Sequence, residues 1–468
     1  MQDRPKLLLA VVVAVLVVIA GVVTYLLLVP ASSTAPRTKF TGNAYCPTSG
    51  GSSTSGNWTT YHEDLTRDGY ESGSVTSARP MWASPVSVDG QVYAEPLVCG
   101  NAVFVATEDD TVYAINATTG SILWMTNLGT PVPGSDLPCG DINPSGITGT
   151  PVIDAATGTL YVVAYVMPMP QHVLFGLNVL NGTVESQVAV NPPGASLTVE
   201  QQRGALTLAN GYVYIPYGGL FGDCGQYWGF VVGAPIQGSG GLISYKVPTP
   251  RQAGIWGTGG AQVAANGSLY VATGNGASTS TYDFGDSVIE LSPSLTEVDS
   301  FAPTNWVQLN EQDLDLGSLS PTLLPDGNVF QVGKEGVGYL LSASHLGGIG
   351  GQIAEKGVCG GAYGGTAHVG PSIFLPCTNG LFDVVANATN FSVAWQTSGF
   401  DSGSPIVTGD VVWAVNISTA VLLGFNITTG AVLYSFALSG ADHFVSPAAA
   451  PGALFMAGGD ELYAFSLS

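Results

Sequence analysis

The sequence repeats one short segment along its length. Residues 112–124 follow the pattern apolar-Tyr-Ala-apolar-Asn-x-x-Thr-Gly-x-apolar-apolar-Trp, and blurred copies occupy residues 174–184 and 422–434. Each copy has an alternating apolar run, a polar turn with Gly where a positive φ is needed, and a second apolar run. Each copy therefore predicts two antiparallel strands joined by a tight turn, which is half of a four-stranded sheet.

A small–aromatic alternation upstream of these copies predicts the buried middle strand of each sheet. It occurs at residues 103–106, 160–163, 212–215, 269–272, 329–332, 373–375, 411–414 and 454–457. The interval of roughly 40 to 60 residues suits propeller blades, and the 3.6-residue periodicity of a helical solenoid is absent. With 63 Gly and 29 Pro to supply turns, the chain is predicted to be an all-β, eight-bladed β-propeller of four-stranded antiparallel blades.

The two ends of the repeat region predict how the ring closes. The last sheet ends after its third strand, at residues 461–465, whereas residues 81–86 place Trp82 in the pattern that Trp124 and Trp395 show in fourth strands. An unpaired edge strand invites aggregation. We therefore expect an N-terminal strand to complete the last blade.

The N-terminal region predicts a membrane anchor. Arg4 and Lys6 precede an uninterrupted apolar stretch, residues 7–29, which is long enough to form a transmembrane helix. The predicted organisation is a cytoplasmic segment at 1–6, a signal anchor at 7–29, a flexible tether at 30–56 and the propeller at 57–468. This predicts a single-pass protein of the cell membrane with its propeller outside; the alternative is a cleaved signal peptide and a secreted protein.

The charge excludes one class of partner. The formal net charge of -22 comes from 33 acidic and 11 basic residues, so phosphate repulsion argues against nucleic acid. One interpretation of the low charged fraction is an acidic exterior. Asn-x-Ser/Thr acceptors predict a glycoprotein, with ordinary turn chemistry as the alternative. They are Asn57, Asn116, Asn181, Asn266, Asn387, Asn390, Asn416 and Asn426.

Six cysteines in an exported chain suggest three disulfides. Cys359 and Cys377 are close enough in sequence to join neighbouring strands. Cys139 and Cys224 lie in Gly/Asp loops, and Cys46 with Cys99 is the remaining pair. Other pairings stay open. The spacing does not resemble a zinc site, and we predict no metal site from it.

The repeat resembles that of the pyrroloquinoline-quinone-type propellers, the quinoprotein alcohol dehydrogenase-like superfamily, from about residue 57 to the end of the chain. Five further stretches resemble an exported branch of this superfamily that mostly lacks an assigned activity: residues 57–62, 146–154, 254–257, 270–276 and 313–318. The resemblance implies pyrroloquinoline quinone with Ca²⁺ as the candidate cofactor, although the sequence itself identifies none. The dehydrogenases of the family carry adjacent cysteines and a calcium-ligand set; no two cysteines are adjacent here, and no such set can be mapped.

Residues just ahead of each inner strand should converge on one mouth of the central channel. The candidate ligand-binding residues are Glu95, Thr148, Arg203, Trp256, Asp315, Ser318, Lys334, Tyr363, Asp401 and His443. Lys334 instead follows a middle strand, and it could reach the same mouth or lie on the opposite face. At the mouth, Arg203 and Lys334 would form a positive region that suits a small anion or an ion pair with Glu95 or Asp315. Asp315 and Glu95 are the candidate catalytic carboxylates. The alternative is that all these polar residues tie neighbouring blades together.

Three functions remain open at this stage. The first is binding of a small molecule, a glycan or an envelope protein at the channel mouth. The second is a quinone-dependent alcohol or sugar dehydrogenase, in which the cofactor carries the redox chemistry. The third is hydrolysis of a sulfur compound, by analogy with the tetrathionate hydrolases of acidophiles, with Asp315 as the carboxylate to test.

Overall fold

The computed structural model describes residue 46, residues 56–236 and residues 240–468, and in it eight antiparallel sheets follow one another along the chain. We number them blades 1 to 8. The strands of each blade are given from inner to outer. Blade 1 consists of Leu97–Cys99, Ala102–Ala106, Thr111–Asn116 and Ile122–Asn127, and blade 2 of Val152–Asp154, Thr159–Val166, Gln171–Asn178 and Val184–Ala189. Blade 3 consists of Glu200–Gln201 with Thr207–Ala209, then Tyr212–Gly219, Phe230–Pro235 and Ile243–Lys246, and blade 4 of Gln262–Val263, Leu269–Ala272, Val288–Leu291 and Glu297–Ala302.

The other four blades follow the same plan. Blade 5 consists of Thr322–Leu323, Asn328–Val332, Val337–Ser342 and Ala354–Gly357, and blade 6 of Ala367–Val369, Ser372–Cys377, Gly380–Ala386 and Phe391–Gln396. Blade 7 consists of Ile406–Thr408, Val411–Asn416, Val421–Asn426 and Val432–Ala437, and blade 8 of Ala448–Ala450, Ala453–Gly458 and Glu461–Leu467. A short strand, Gly348–Ile349, extends blade 4, and one α-helix, Trp306–Gln312, precedes blade 5. The eight-bladed, all-β architecture predicted from the repeat is confirmed.

Burial explains why the second strand of each blade gave the clearest sequence signal. In blade 5 all residues of Asn328–Val332 are buried, whereas the outer strand of blade 2, Val184–Ala189, is exposed throughout. A middle strand packs against neighbouring blades on both faces, so it takes small and aromatic residues. Outer strands need only a partly apolar surface and are therefore harder to recognise.

Blade 8 is completed by the N-terminal part of the propeller, as predicted. Ala78–Pro80 pairs antiparallel with the last strand, Glu461–Leu467, and Val86–Ser87 pairs further along the same strand. Trp82 lies between these two short strands, and the Met81 amide donates to the Ala464 carbonyl at 2.8 Å. The pairing is split because five residues, 81–85, lie between Pro80 and Val86, whereas only two, 463 and 464, lie between their partners Phe465 and Leu462.

Three tryptophans make the same contact between neighbouring blades. The indole Nε1 of Trp82, Trp124 and Trp395 donates to the carbonyl oxygens of Ala117, Val179 and Ile427, at 3.0, 3.0 and 2.9 Å. Each accepting carbonyl belongs to the Asn/Gly turn of the next blade. Gly182 has a φ of +69°, and a Cβ there would lie 2.5 Å from the Trp124 ring. The turn thus needs Gly both for its conformation and for space.

A segment that the repeat did not predict runs inside the ring. We call residues 57–71 the central segment. Its backbone bonds to inner strands of five blades, through the pairs Trp58–Val98, Thr59–Ile153, Leu65–Val263, Asp68–His368 and Gly69–Val407. Its last two residues, Tyr70–Glu71, form a parallel strand on the inner edge of blade 7. The axis of the propeller is therefore occupied by the protein's own chain at this level.

Two buried side chains fix the central segment. Arg67 is 1% exposed, and its guanidinium donates to the Leu206 carbonyl at 3.1 Å and to the Thr207 hydroxyl at 2.9 Å, which adds blade 3. It also donates to Thr60 and to the Tyr61 carbonyl within the segment. The ring nitrogens of His62 lie 2.8 Å from the Thr366 carbonyl and 3.0 Å from the Ser446 hydroxyl. These contacts make the segment part of the core.

The three predicted disulfides are present: Cys46–Cys99, Cys139–Cys224 and Cys359–Cys377. The predicted cytoplasmic segment and signal anchor lie outside the described residues, as does the tether apart from Cys46 and Gly56. Within the part of the chain that the structure describes, no helix is long and apolar enough to cross a membrane.

Candidate functional site

A pocket of ≈ 590 Å³ opens on the ring axis. The loops that lead into the inner strands line it, together with loops between second and third strands, so blades far apart in sequence contribute side chains to one surface. Its side-chain lining includes Asp141, Gln201, Arg203, Phe221, Asp223, Tyr227, Trp256, Asn275, Asp313, Asp315, Lys334, Tyr363, Asp401, His443 and Phe444. A volume of this size suits one small ligand.

Seven of the ten predicted ligand-binding residues line this pocket: Arg203, Trp256, Asp315, Lys334, Tyr363, Asp401 and His443. The structure places the other three elsewhere. Glu95 accepts hydrogen bonds from the Trp58 indole and the His62 amide, so its carboxylate faces the central segment. The Ser318 hydroxyl donates to the carbonyls of Asp315 and Ala362, and Thr148 is buried beside Glu108. The central segment, which sequence reasoning missed, explains why Glu95 is not at the mouth.

Three aromatic rings from blades on different sides of the axis meet in the pocket. Tyr363 and Phe444 stack with their centroids 5.7 Å apart and their planes 7° apart. The Trp256 ring lies 6.4 Å from Tyr363 and 6.2 Å from Phe444. Such a cluster offers a flat apolar surface on which a planar ring or the face of a sugar can pack.

Arg203 is the less compensated cation of the pocket. Its guanidinium carbon lies 4.7 Å from the centroid of the Phe444 ring, and no described group accepts a hydrogen bond from its buried Nη2. Burial lowers the pKa of Arg203, and the charge of Asp141 opposes this effect. A buried guanidinium donor without an acceptor is costly unless a ligand supplies one.

Lys334 is already neutralised by the protein. Its Nζ lies 2.6 Å from Oδ2 of Asp315 and 3.1 Å from Oδ1 of Asp313. Oδ1 of Asp315 accepts from the Asn275 amide at 2.6 Å. Burial lowers the pKa of Lys334, but the two carboxylates outweigh it and hold the pKa above its ordinary value. Asp315 is thus committed to an ion pair, which weakens its case as a free general base.

Further polar groups line the pocket. Burial raises the pKa of Asp401, and His443 opposes this shift. Tyr227 donates to the Asp223 carboxylate. In the described part of the chain, no three His, Cys, Asp or Glu side chains converge closely enough to hold a metal ion.

Several lining residues were not among the candidates from sequence. Asp223 and Tyr227 lie in the long loop between the second and third strands of blade 3, and Phe444 follows His443 directly. The adjacency to His443 is a signal that sequence reasoning could have used. The blade 3 loop does not follow the repeat pattern, so nothing in the sequence indicated that it reaches the axis.

The fold and the pocket define an eight-bladed propeller with one ligand-sized axial site. A family model described as outer membrane protein assembly factor BamB matches residues 74–218. No curated protein gives a significant match. The match covers blades 1 and 2, which carry two of the three copies of the repeat described above, and part of blade 3.

Solved structures similar to the chain include the quinohemoprotein alcohol dehydrogenases of Comamonas testosteroni and Pseudomonas putida HK5. Their TM-scores are 0.68 and 0.67 at 14% and 13% identity, each over 88% of this chain and 80% of theirs. BamB from Moraxella catarrhalis has a TM-score of 0.58 at 12% identity, over 84% of this chain and 100% of its own. These identities establish the fold alone. With the family match, they confirm the resemblance to the pyrroloquinoline-quinone-like propellers.

Proposed function

We propose that this protein binds a small anionic ligand with a flat face in the axial pocket. The observation that carries the proposal is Arg203, whose buried Nη2 lacks an acceptor while its guanidinium lies against the aromatic cluster. An anionic group on Arg203 would place the rest of a ligand over Trp256, Tyr363 and Phe444. The remaining carboxylates of the pocket would accept hydrogen bonds from ligand hydroxyls.

The charge distribution supports an anionic group at one end of the ligand only. Lys334 is held by Asp313 and Asp315, so it adds little attraction for a second anionic group. Arg203 has no ion pair among the described residues, and a guanidinium is well suited to carboxylate recognition. A uronic acid, with one carboxylate and several hydroxyls on a ring, has this chemistry.

Calorimetric titration with D-glucuronate and with glucose tests the proposal. We expect glucuronate to bind more tightly than glucose, and the substitution Arg203→Gln to weaken glucuronate binding roughly ten- to hundredfold, the value of a charge-assisted hydrogen bond. Arg79→Gln is the matched control and should bind like the parent, because Arg79 is exposed on Ala78–Pro80, the closing strand that completes blade 8. Equal glucuronate affinity in Arg203→Gln and the parent would contradict the proposal. Tetrathionate is titrated in parallel as a non-sugar anion.

The quinone-dependent dehydrogenase is the second candidate, because alcohol dehydrogenases are among the similar structures and the pocket combines rings with a free guanidinium. Arg203 and the aromatic cluster fit the carboxylates and the plane of pyrroloquinoline quinone. The acidic side chains do not fit its calcium ion, since no three of them converge in the described chain. Added quinone and Ca²⁺ should therefore give no alcohol-dependent dye reduction; clear reduction would favour the enzyme.

We also propose that the propeller lies outside the cell, attached through residues 7–29. The three disulfides support this location, because such bonds persist in oxidising compartments. Membrane fractionation with protease treatment of intact cells tests it: the propeller should pellet with membranes and be accessible. The description of the matched family also makes an envelope protein a candidate partner, which cross-linking in intact cells would detect.

A further inference from the structure

The axial pocket is closed at its inner end by the central segment. Tyr61 is 2% exposed, and its hydroxyl lies 3.5 Å from the Thr258 hydroxyl. A Cβ on Gly365 would lie 2.5 Å from the same Tyr61 hydroxyl. Thr258 and Gly365 follow the pocket residues Trp256 and Tyr363 by two positions, so Tyr61 packs beneath the aromatic cluster. A ligand therefore enters and leaves the pocket through its outer opening.

The pocket is larger than one sugar ring. Its volume is ≈ 590 Å³. Glucuronate has about 13 non-hydrogen atoms, which fill at most about 400 Å³ if each takes the share of one water molecule in the liquid, about 30 Å³. Space for part of a second ring therefore remains. Because the inner end is closed, a second ring would extend toward the opening.

An aromatic ring is held at this opening by a fixed loop. Phe221 lines the pocket and is 67% exposed. Leu220, directly before it, is 3% exposed, and its amide donates to the Val199 carbonyl at 3.1 Å. Three residues after Phe221, Cys224 is disulfide-bonded to Cys139. A single exposed apolar side chain is ordinary, but a ring fixed at the edge of a pocket can bind a ligand at little entropic cost.

The charges around the opening indicate that the second ring is neutral. Asp141 is exposed, and the side chain of Asp313 is 60% exposed; both line the pocket. Arg203 is occupied by the carboxylate of the first ring, and Lys334 is paired with Asp313 and Asp315. A second anionic group would therefore meet carboxylates, whereas the hydroxyls of a neutral sugar can donate to them.

We propose that the axial pocket binds the end of an oligosaccharide, with a terminal uronic acid on Arg203 and the aromatic cluster and a neutral second sugar packed on Phe221. This inference rests on the proposed function and adds the class of ligand and the residue that selects it. A pocket with one opening suits a chain end, because both neighbours of an internal sugar would need to leave through the same opening.

Calorimetric titration with D-glucuronate and with cellobiouronate, in which glucuronate is linked to glucose, tests the inference. The parent should bind the disaccharide about three- to tenfold more tightly, the value of one aromatic contact. Phe221→Ala should bring the ratio of the two affinities to about one, and the exposure of this ring means that folding is not threatened. Leu180→Ala is the matched control and should keep the parental ratio, because Leu180 is 65% exposed and lies outside the pocket.

The outcomes separate this inference from the proposed function. Glucuronate binding that is lost in Arg203→Gln, with no gain from the second sugar or with the parental gain in Phe221→Ala, would overturn the inference alone. Failure of the parent to bind either sugar would overturn both.

Two further ligands test the chemistry of the second group. Octyl β-D-glucuronide should bind less tightly than cellobiouronate, and tighter binding would overturn the inference in favour of an apolar substituent. A trisaccharide with glucuronate between two glucose units should bind more weakly than cellobiouronate. Equal affinities of these two would contradict the preference for a chain end.

Discussion

The tryptophans at the blade junctions show how single residues hold the ring together. The Trp82 indole donates to Ala117, its ring lies 6.1 Å from Phe455, and a Cβ on Gly120 would lie 3.0 Å from it. One side chain thus joins blade 8 to blade 1. Sequence reasoning identified this residue because Trp124 and Trp395 repeat the same local pattern, whereas the carbonyls that accept their hydrogen bonds required the structure.

We expect Trp82→Ala to lower the free energy of unfolding by about 3–5 kcal/mol, the usual cost of removing a large aromatic ring from a core. Leu123→Ala is the control, because Leu123 is 52% exposed on an outer strand, and its cost should stay below about 0.5 kcal/mol. Guanidinium chloride unfolding followed by tryptophan fluorescence measures both. Similar losses for the two variants would contradict the role given to Trp82.

The sequence predicted the elements that depend on a local residue pattern. It did not predict the element that depends on contacts with residues far away in the sequence. All eight predicted middle strands occur as second strands of blades, because alternation of small and aromatic residues is a local property. The central segment was missed, because its backbone pairs only with strands far away in sequence and its own residues do not alternate. Because the central segment was not predicted, Glu95 was placed among the mouth residues, whereas its carboxylate faces that segment.

We expect Arg67→Ala to cost more than about 3 kcal/mol, because it removes several buried hydrogen bonds from a charged donor and leaves their acceptors unpaired. Arg79→Ala, which removes an exposed arginine from the closing strand, should cost less than about 0.5 kcal/mol. Chemical denaturation of the two variants and the parent gives the comparison. A small loss in Arg67→Ala would mean that the central segment is not part of the cooperative core.

The whole molecule buries carboxyl groups in unusual number, and this determines how its stability varies with pH. Burial raises the pKa of Glu95, Asp110 and Glu200 to about 8. Between the ordinary carboxyl pKa and 8 the folded protein keeps protons that the unfolded chain has lost, so stability falls as pH rises. Burial also lowers the pKa of His62 and His172 to about 3, so they remove stability as pH falls below 6.5.

We expect the melting temperature to rise as the pH is lowered from about 8 to about 5.5, because carboxyl groups with raised pKa values outnumber these histidines. The substitution Glu95→Gln should reduce that rise, whereas Glu311→Gln should leave it unchanged. Calorimetric melting across this range measures the effect. A melting temperature that increases toward pH 8 would contradict the prediction, and with it the interpretation of the composition as one suited to acidic surroundings.

Because Ala78–Pro80 is hydrogen-bonded to Glu461–Leu467, the toroid cannot be finished before Glu461–Leu467 has been synthesised. The N-terminal strand Ala78–Pro80 therefore has no partner until Glu461–Leu467 folds beside it. A chain that ends before these residues would therefore form an incomplete ring with an exposed edge strand. Such a ring is prone to aggregation and is not a smaller stable version of the protein.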